Sequence, residues 1–304
     1  MRVLLTGASG FVGRHAQRYL VDAGLEVHGI GNRPKEDWSA PCVRVHACDL
    51  TDSHAITDLV KRIGPTHLLH LAWYAVPGRF WTAAENRQWL SAGRTLIRAF
   101  ADAGGQRAVF AGTCAEYAWT EEICTEYVTP LRPATLYGRC KLALQEEVAS
   151  LALHSGFSFA WARLFFMYGE HEPAGRLVSS VTESLLQNRE VACTDGRQIR
   201  DFMFVDDVAA ALAALLLSPV EGPVNVAAGK AHAVADVIRL IGTATGRGHL
   251  IRWGARAVQP GEPTRIEART ERLNAEVGFV PAFTLETGLQ RTVDWWRTEV
   301  ARHA

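Results

Sequence analysis

Residues 6–13 read Thr-Gly-Ala-Ser-Gly-Phe-Val-Gly, and residues 137–141 read Tyr-Gly-Arg-Cys-Lys. In the first run Gly7, Gly10 and Gly13 are spaced GxxGxxG between an apolar strand pattern and a helical one. Glycine at these points lets the backbone turn sharply and approach a pyrophosphate, whose charge meets the unpaired N–H groups of the following helix. In the second run Tyr137 and Lys141 are four residues apart and share one helix face. An ammonium beside a phenol favours the phenolate and lowers the phenol pKa from roughly 10, which suits proton transfer near neutral pH. A third signal is Thr113, in Phe110-Ala111-Gly112-Thr113-Cys114-Ala115-Glu116-Tyr117. It follows a strand pattern, where parallel α/β sheets hold their ligands, and its hydroxyl could steady an oxygen that the tyrosine protonates. A dinucleotide held beside a mobile proton is the chemistry of a nicotinamide-dependent oxidoreductase.

The elements that must position these groups alternate. Strand patterns fall at Val3–Leu5, Val27–Ile30, Val43–Val45, His67–Leu71, Ala108–Ala111 and Phe159–Ala162. Helical patterns fall at Phe11–Ala23, Ala55–Ile63, Asn86–Ala103 and Tyr137–His154. Short apolar strands separated by helices predict an α/β fold with a doubly wound parallel sheet, both faces covered. After Tyr168-Gly169 the rhythm becomes loop-rich around a helix at Leu177–Gln187, and Phe204–Leu217 reads as a strand end and a returning helix. Residues 1–168, with 204–227, are expected to form the dinucleotide-binding domain. Residues 169–203 and 228–304 are expected to form a smaller lobe, with turns such as Pro260-Gly261 and a terminal amphipathic helix carrying Trp295 and Trp296.

Composition narrows the partners. Lys plus Arg equals Asp plus Glu at 32 each among 304 residues, so no global field draws the chain to nucleic acid or to a membrane. Met1 leads directly into a strand, and the longest apolar run, Val208–Leu217, is too short to span a bilayer. The six cysteines (42, 48, 114, 124, 140, 193) form no CxxC pair, and the eleven histidines form no HExxH. Free thiols, no metal and a cytoplasmic setting are the expectation.

Two details bear on the cofactor. A carboxylate at the end of the second strand would hold the ribose hydroxyls of NAD, but Gly31-Asn32-Arg33 stands there. Arg33 can instead pair with a 2′-phosphate, so NADP(H) is favoured and NAD(H) is possible; the alternative is a solvated loop arginine. Asp49 is placed to accept a hydrogen bond from adenine, or else to cap its own turn.

Taken together, Thr6–Gly13, His70-Leu71-Ala72, Thr113 before Tyr117, Tyr137–Lys141, Arg163-Leu164-Phe165 and Arg200–Asp207 occur in order. In these motifs the chain resembles the extended short-chain dehydrogenase/reductases, in their NAD-dependent epimerase/dehydratase (sugar-nucleotide) branch. The resemblance runs from residue 1 to the tail at 285–296. It implies a Rossmann lobe for the cofactor, a C-terminal lobe for a nucleoside-diphosphate sugar, and a triad of Thr113, Tyr137 and Lys141. Cofactor contacts are expected from Gly7, Ser9, Gly10, Phe11, Val12, Gly13, Asn32, Arg33, Asp49, Leu50, Leu71, Ala72, Trp73 and Leu164, besides Tyr137 and Lys141. Tyr74, Phe166, Arg176 and Arg200 are expected on the substrate, Arg200 at its diphosphate. A homodimer through the helices at 86–103 and 137–154 is also implied.

Departures from that pattern narrow the activity. Dehydratases of the branch carry Asp and Glu after the threonine; Cys114 and Ala115 stand here and cannot perform that elimination. Leu90 and Phe166 replace asparagines usual in the branch. The expected activity is NADPH-dependent reduction of the C4 ketone of a nucleoside-diphosphate 4-keto-6-deoxyhexose. The alternative is NAD-dependent 4-epimerisation of a nucleoside-diphosphate sugar. A non-catalytic NADP(H) sensor is a remote third, since a sensor has no use for a proton donor.

Overall fold

The structure is a computed structural model that describes residues 1–31, 40–259 and 261–303. Seven parallel strands form the main sheet: β1 (Arg2–Thr6), β2 (Glu26–Gly31), β3 (Arg44–Ala47), β4 (His67–His70), β5 (Arg107–Thr113), β7 (Ser158–Leu164) and β11 (Gly222–Val226). Their order is β11-β7-β5-β4-β1-β2-β3. Alternation along β1 shows how both faces are used. Val3 and Leu5 enter one core with Ala16 and Leu20 of α1 (Phe11–Asp22) and Leu212 and Leu215 of α6 (Val205–Leu217). Leu4 enters the opposite core. There it joins Ile56 of α2 (Ser53–Ile63), Leu96 of α3 (Glu85–Asp102) and Leu144 of α4 (Leu136–Ser155). Each central strand is therefore apolar on both sides, as a sheet covered by helices requires. This is the doubly wound, Rossmann-type arrangement.

Strand order reverses between β1 and β4, and a crevice opens there at the carboxyl ends of the strands. Both the glycine turn after β1 and the His70-Leu71-Ala72 segment after β4 end at this point.

A second sheet runs β12-β10-β14-β6, where β6 is Ile123–Cys124, β10 Ile199–Phe204, β12 Ala231–Ala233 and β14 Arg265–Ala268. Strand β8 (Phe166–Tyr168) pairs with β10, so the chain leaves β7 of the main sheet and joins the second after one residue. Strands β9 (Val191–Ala192) and β13 (Ile251–Arg252) pair with each other in parallel. A third core of Tyr168, Val178, Phe202, Ile238 and Leu289 unites the second sheet with α5 (Leu177–Leu186), α7 (Val234–Thr245) and α8 (Leu285–His303).

The acids of the 200–207 motif stitch these parts together. Asp201 accepts the amide N–H groups of Ala228 and Gly229 at 2.9 and 3.0 Å. Asp207 accepts those of Ala282 and Phe283, also at 2.9 and 3.0 Å, and Asp206 takes Arg18 of α1 at 2.8 Å. Buried carboxylates that accept backbone N–H groups fix loops that would otherwise carry unsatisfied donors.

Candidate active site

The glycine turn holds its shape for steric reasons. Gly7 has φ +69°, and a Cβ there would lie 2.8 Å from the Ala72 nitrogen. A Cβ on Gly13 would lie 2.0 Å from the Gly7 carbonyl oxygen, so α1 can approach the turn only with glycine at that point. The Gly10 N–H donates to the Gly7 carbonyl at 2.9 Å, and no side chain caps α1. The first N–H groups of α1 therefore face the crevice as an anion cradle. The buried Thr6 hydroxyl bonds His70 Nδ1 at 2.7 Å and accepts the Ala72 N–H at 3.3 Å, which ties the two strand ends together.

A cleft of about 670 Å³ runs from this turn toward α5. Gly7, Ser9, Gly10, Phe11, Val12, Gly13, Leu50, Leu71, Ala72, Trp73, Thr113, Tyr137, Lys141, Leu164, Phe166 and Arg176 all line it. Asn32 and Arg33 lie outside the described residues. Three further positions are placed elsewhere. Asp49 is exposed and closes its own turn, accepting from the Thr51 N–H and hydroxyl at 2.9 and 2.8 Å. Tyr74 is half-buried and is not one of the residues that line the cleft. Arg200, expected at a diphosphate, is buried and committed within the protein. It donates to Glu262 Oε1 at 2.9 Å and to the carbonyls of Ile199 and Pro263 at 2.8 and 2.7 Å. Arg176 is the arginine that lines the cleft among the described residues.

Tyr137 sits in the first turn of α4, whose N-cap Thr135 accepts the Gly138 N–H at 3.1 Å. Its ring is fenced by Phe80, Trp81 and Trp73, with centroids at 5.0, 6.0 and 6.4 Å. Burial pushes its phenol above the usual range, while a hydrogen bond with the Thr113 side chain acts the other way. Lys141 is placed differently from the expectation that its ammonium lowers this phenol. Its Nζ donates to the Ala111 carbonyl at 2.7 Å and lies 3.9 Å from the centre of the Trp73 ring. Burial lowers its pKa to about 7, opposed by the charge of Glu116. Helical spacing puts the two side chains on one face, but a strand carbonyl and an indole decide where the ammonium goes.

Thr113 is held by the turn after β5. Its N–H donates to Glu116 Oε1 at 2.8 Å, and its hydroxyl accepts the Ala115 N–H at 3.2 Å. Glu116 is fully buried, and it receives Arg163 Nε at 2.7 Å and Trp161 Nε1 at 3.0 Å. Arg163 also donates to the Tyr117 hydroxyl at 3.0 Å and to Gln145 of α4 at 2.9 Å. One buried ion pair thus joins β5, β7 and α4 behind the threonine. Cys114 also lines the cleft, and burial pushes its thiol up, so it stays a neutral thiol.

Sequence reasoning gave no role to Glu172, Phe80, Trp81, Trp89 or Phe202, all of which line the cleft. The aromatic density of residues 73–89 was the available signal for three of them. Glu172 carried none, because its burial is a tertiary fact. It is 4% exposed and accepts the Ser179 N–H of α5 at 2.8 Å. Burial raises its pKa to about 8, against the pull of Arg176. A carboxyl whose folded pKa lies above its unfolded one binds the extra proton in the folded state. Its contribution to stability is therefore complete below about pH 4.5 and is lost as pH rises toward 8. Glu172→Gln should accordingly gain a few kcal/mol on wild type between pH 5 and pH 8 in urea unfolding. Parallel pH dependences of the two proteins would contradict this.

The model of the NAD dependent epimerase/dehydratase family matches residues 3–228. The chain belongs to that family. Across the whole chain it is 26% identical to UDP-glucuronic acid decarboxylase 1 of Xenopus tropicalis, 74% of which is covered. It is 25% identical to UDP-glucose 4-epimerase of Azospirillum brasilense, with 97% of this chain and 91% of that protein covered. Among solved structures, UDP-glucose 4-epimerase of Thermus thermophilus in complex with NAD superposes with a TM-score of 0.88. Identity there is 27%, over 98% of this chain and 99% of that one. As an epimerase/dehydratase family member the protein is an NAD(P)-dependent enzyme of sugar-nucleotide chemistry. No helix among the described residues is long and apolar enough to cross a membrane, and no group of three or more candidate metal ligands occurs among them.

Proposed function

We propose that the protein moves hydride at C4 of a nucleoside-diphosphate hexose with NAD(H), and that the net reaction is 4-epimerisation. The observation that carries this reading is that Thr113, at the carboxyl end of β5, and Tyr137, in the first turn of α4, line the same cleft as the Gly7–Gly13 cradle. The cradle, the uncapped α1 N-terminus and the apolar walls at Ile30 and Leu50 fit a dinucleotide. When bound, the nicotinamide supplies a hydride acceptor and donor. Tyr137 would act in its phenolate form, favoured by the positive charge of the oxidised nicotinamide, to take the proton of the C4 hydroxyl as the ketone forms, and as the phenol it would return that proton as the alcohol is restored. Thr113 holds that oxygen in line with the phenol. Lys141 supplies positive charge at the base of the cleft. Arg176 meets the anionic end of the substrate, since Arg200 is already engaged by Glu262. Cys114 and Ala115 offer no acid–base pair for elimination. The relatives named as 4-epimerases favour NAD over the NADP(H) suggested by Arg33.

A second reading is supported by the walls of the cleft. Phe80, Phe166 and Phe202 offer no hydrogen-bond partners to a fully hydroxylated ring. A nucleoside-diphosphate 4-keto-6-deoxyhexose, reduced once by NADPH, suits such walls. One experiment separates the two. The protein as purified is analysed by mass for bound dinucleotide, then given UDP-glucose and followed by NMR. Retained NAD and appearance of the C4 epimer are expected. Failure to epimerise, with stoichiometric loss of NADPH absorbance on a 4-keto-6-deoxy sugar nucleotide, would replace epimerisation by reduction.

A further inference from the structure

Trp73 occupies a position the proposed chemistry does not explain. Its indole N–H donates to Asn86 Oδ1 at 2.8 Å. Asn86 is completely buried on α3, and its amide donates to the carbonyls of Phe80 and Ala83 at 2.7 and 2.8 Å. Every polar atom of the Asn86 side chain is thus used, and the indole is held at one angle. Its face lies 3.9 Å from Lys141 Nζ. Lys141 is 2% exposed, and its ammonium has one hydrogen-bond partner among the described residues, the Ala111 carbonyl at 2.7 Å. An ammonium stripped of water needs compensation for its lost hydration, and an aromatic face supplies part of it.

We propose that Trp73 is a positioning residue for Lys141: its indole face, pinned by Asn86, places the ammonium at the base of the cleft and keeps it charged there. The functional importance of that charge rests on the hydride-transfer reading above, but the placement does not. The groups facing Lys141 account for the balance. His70 on β4 is held neutral by burial, its pKa lowered to about 3, with Lys141 contributing. Glu116, after β5, favours the ammonium, but Arg163 on β7 already takes up its charge. Tyr137, on the same helix as Lys141, has its phenol pushed up and stays neutral. On the α3 side the neutral Trp73 is the compensating group. Without it the ammonium keeps one carbonyl and a carboxylate that is already paired.

The test reads Lys141 directly. The chain has four lysines, at 35, 61, 141 and 230, so a 13Cε-lysine-labelled sample gives four resolvable signals, and Lys141→Arg identifies the one that matters. In the protein as purified that signal should titrate near neutrality, well below an ordinary lysine. Trp73→Leu should lower its midpoint by about one pH unit, and Trp73→Phe, which keeps an aromatic face, by clearly less. Should Trp73→Leu not fold, difluorotryptophan incorporation drains the rings of π density with little change of shape. Trp73 is the tryptophan over Lys141 among the described residues, so the midpoint should again fall. An unchanged Lys141 midpoint in the leucine or fluorinated protein, or equal shifts in the leucine and phenylalanine variants, overturns the proposal. No substrate enters this measurement, so the titration stands or falls independently of the catalytic reading.

Discussion

Tyr137→Phe should lower turnover by about 10²- to 10⁴-fold while dinucleotide remains bound. The substitution removes one oxygen and leaves the ring, whose contacts with Phe80, Trp81 and Trp73 keep the first turn of α4 in place. The cradle at Gly7–Gly13 is untouched, so cofactor binding read by calorimetry should change little. The loss should fall on kcat, because the phenol acts on a proton that moves only as hydride moves. Thr113 cannot take over, since its hydroxyl is an alcohol already engaged with the Ala115 N–H. A variant that retains wild-type turnover would remove Tyr137 from the mechanism.

The largest expected effect on stability lies behind the site. Arg163→Met should destabilise the protein by about 3–5 kcal/mol in urea unfolding. Both members of the Arg163–Glu116 pair are buried, at 1% and 0% side-chain exposure, and the arginine spends three donors on Glu116, Tyr117 and Gln145. Methionine fills similar volume but strands the Glu116 carboxylate with only the Trp161 and Thr113 N–H groups. Glu116→Gln added to Arg163→Met removes the stranded charge and should recover much of the loss. A single variant within about 1 kcal/mol of wild type would show that Glu116 simply takes up a proton at little cost.

The main sheet was legible because its signal is local. Val3–Leu5, His67–Leu71 and Ala108–Ala111 are short apolar runs between helical patterns, and every such strand needs both faces covered. Strand ends moved by a residue or two, as in β5, which runs on through Gly112 to Thr113. That extension sets the threonine at the tip of a rigid strand. The smaller lobe was far less legible. Ile123–Cys124 and Ile251–Arg252 are two-residue strands, too short to show a period, and each forms only because a distant strand pairs with it.

The site divides in the same way. The glycine cradle follows from sequence because the requirement is steric and lies within a single strand-turn-helix unit. The spacing of Tyr137 and Lys141 and the place of Thr113 after a strand single out three residues that the fold brings to one cleft. What spacing could not decide was where charged side chains point once water is excluded. Arg200 is taken by Glu262, 62 positions away, and Lys141 turns to Ala111 and Trp73. Glu172 becomes a neutral acid only through burial against α5. By itself, then, the sequence determined the backbone turn, the helix face and the order of strands, all set by sterics and apolar periodicity over a few residues. The tertiary structure alone decided the partners and protonation of the buried charges, because desolvation depends on every element that closes around a group.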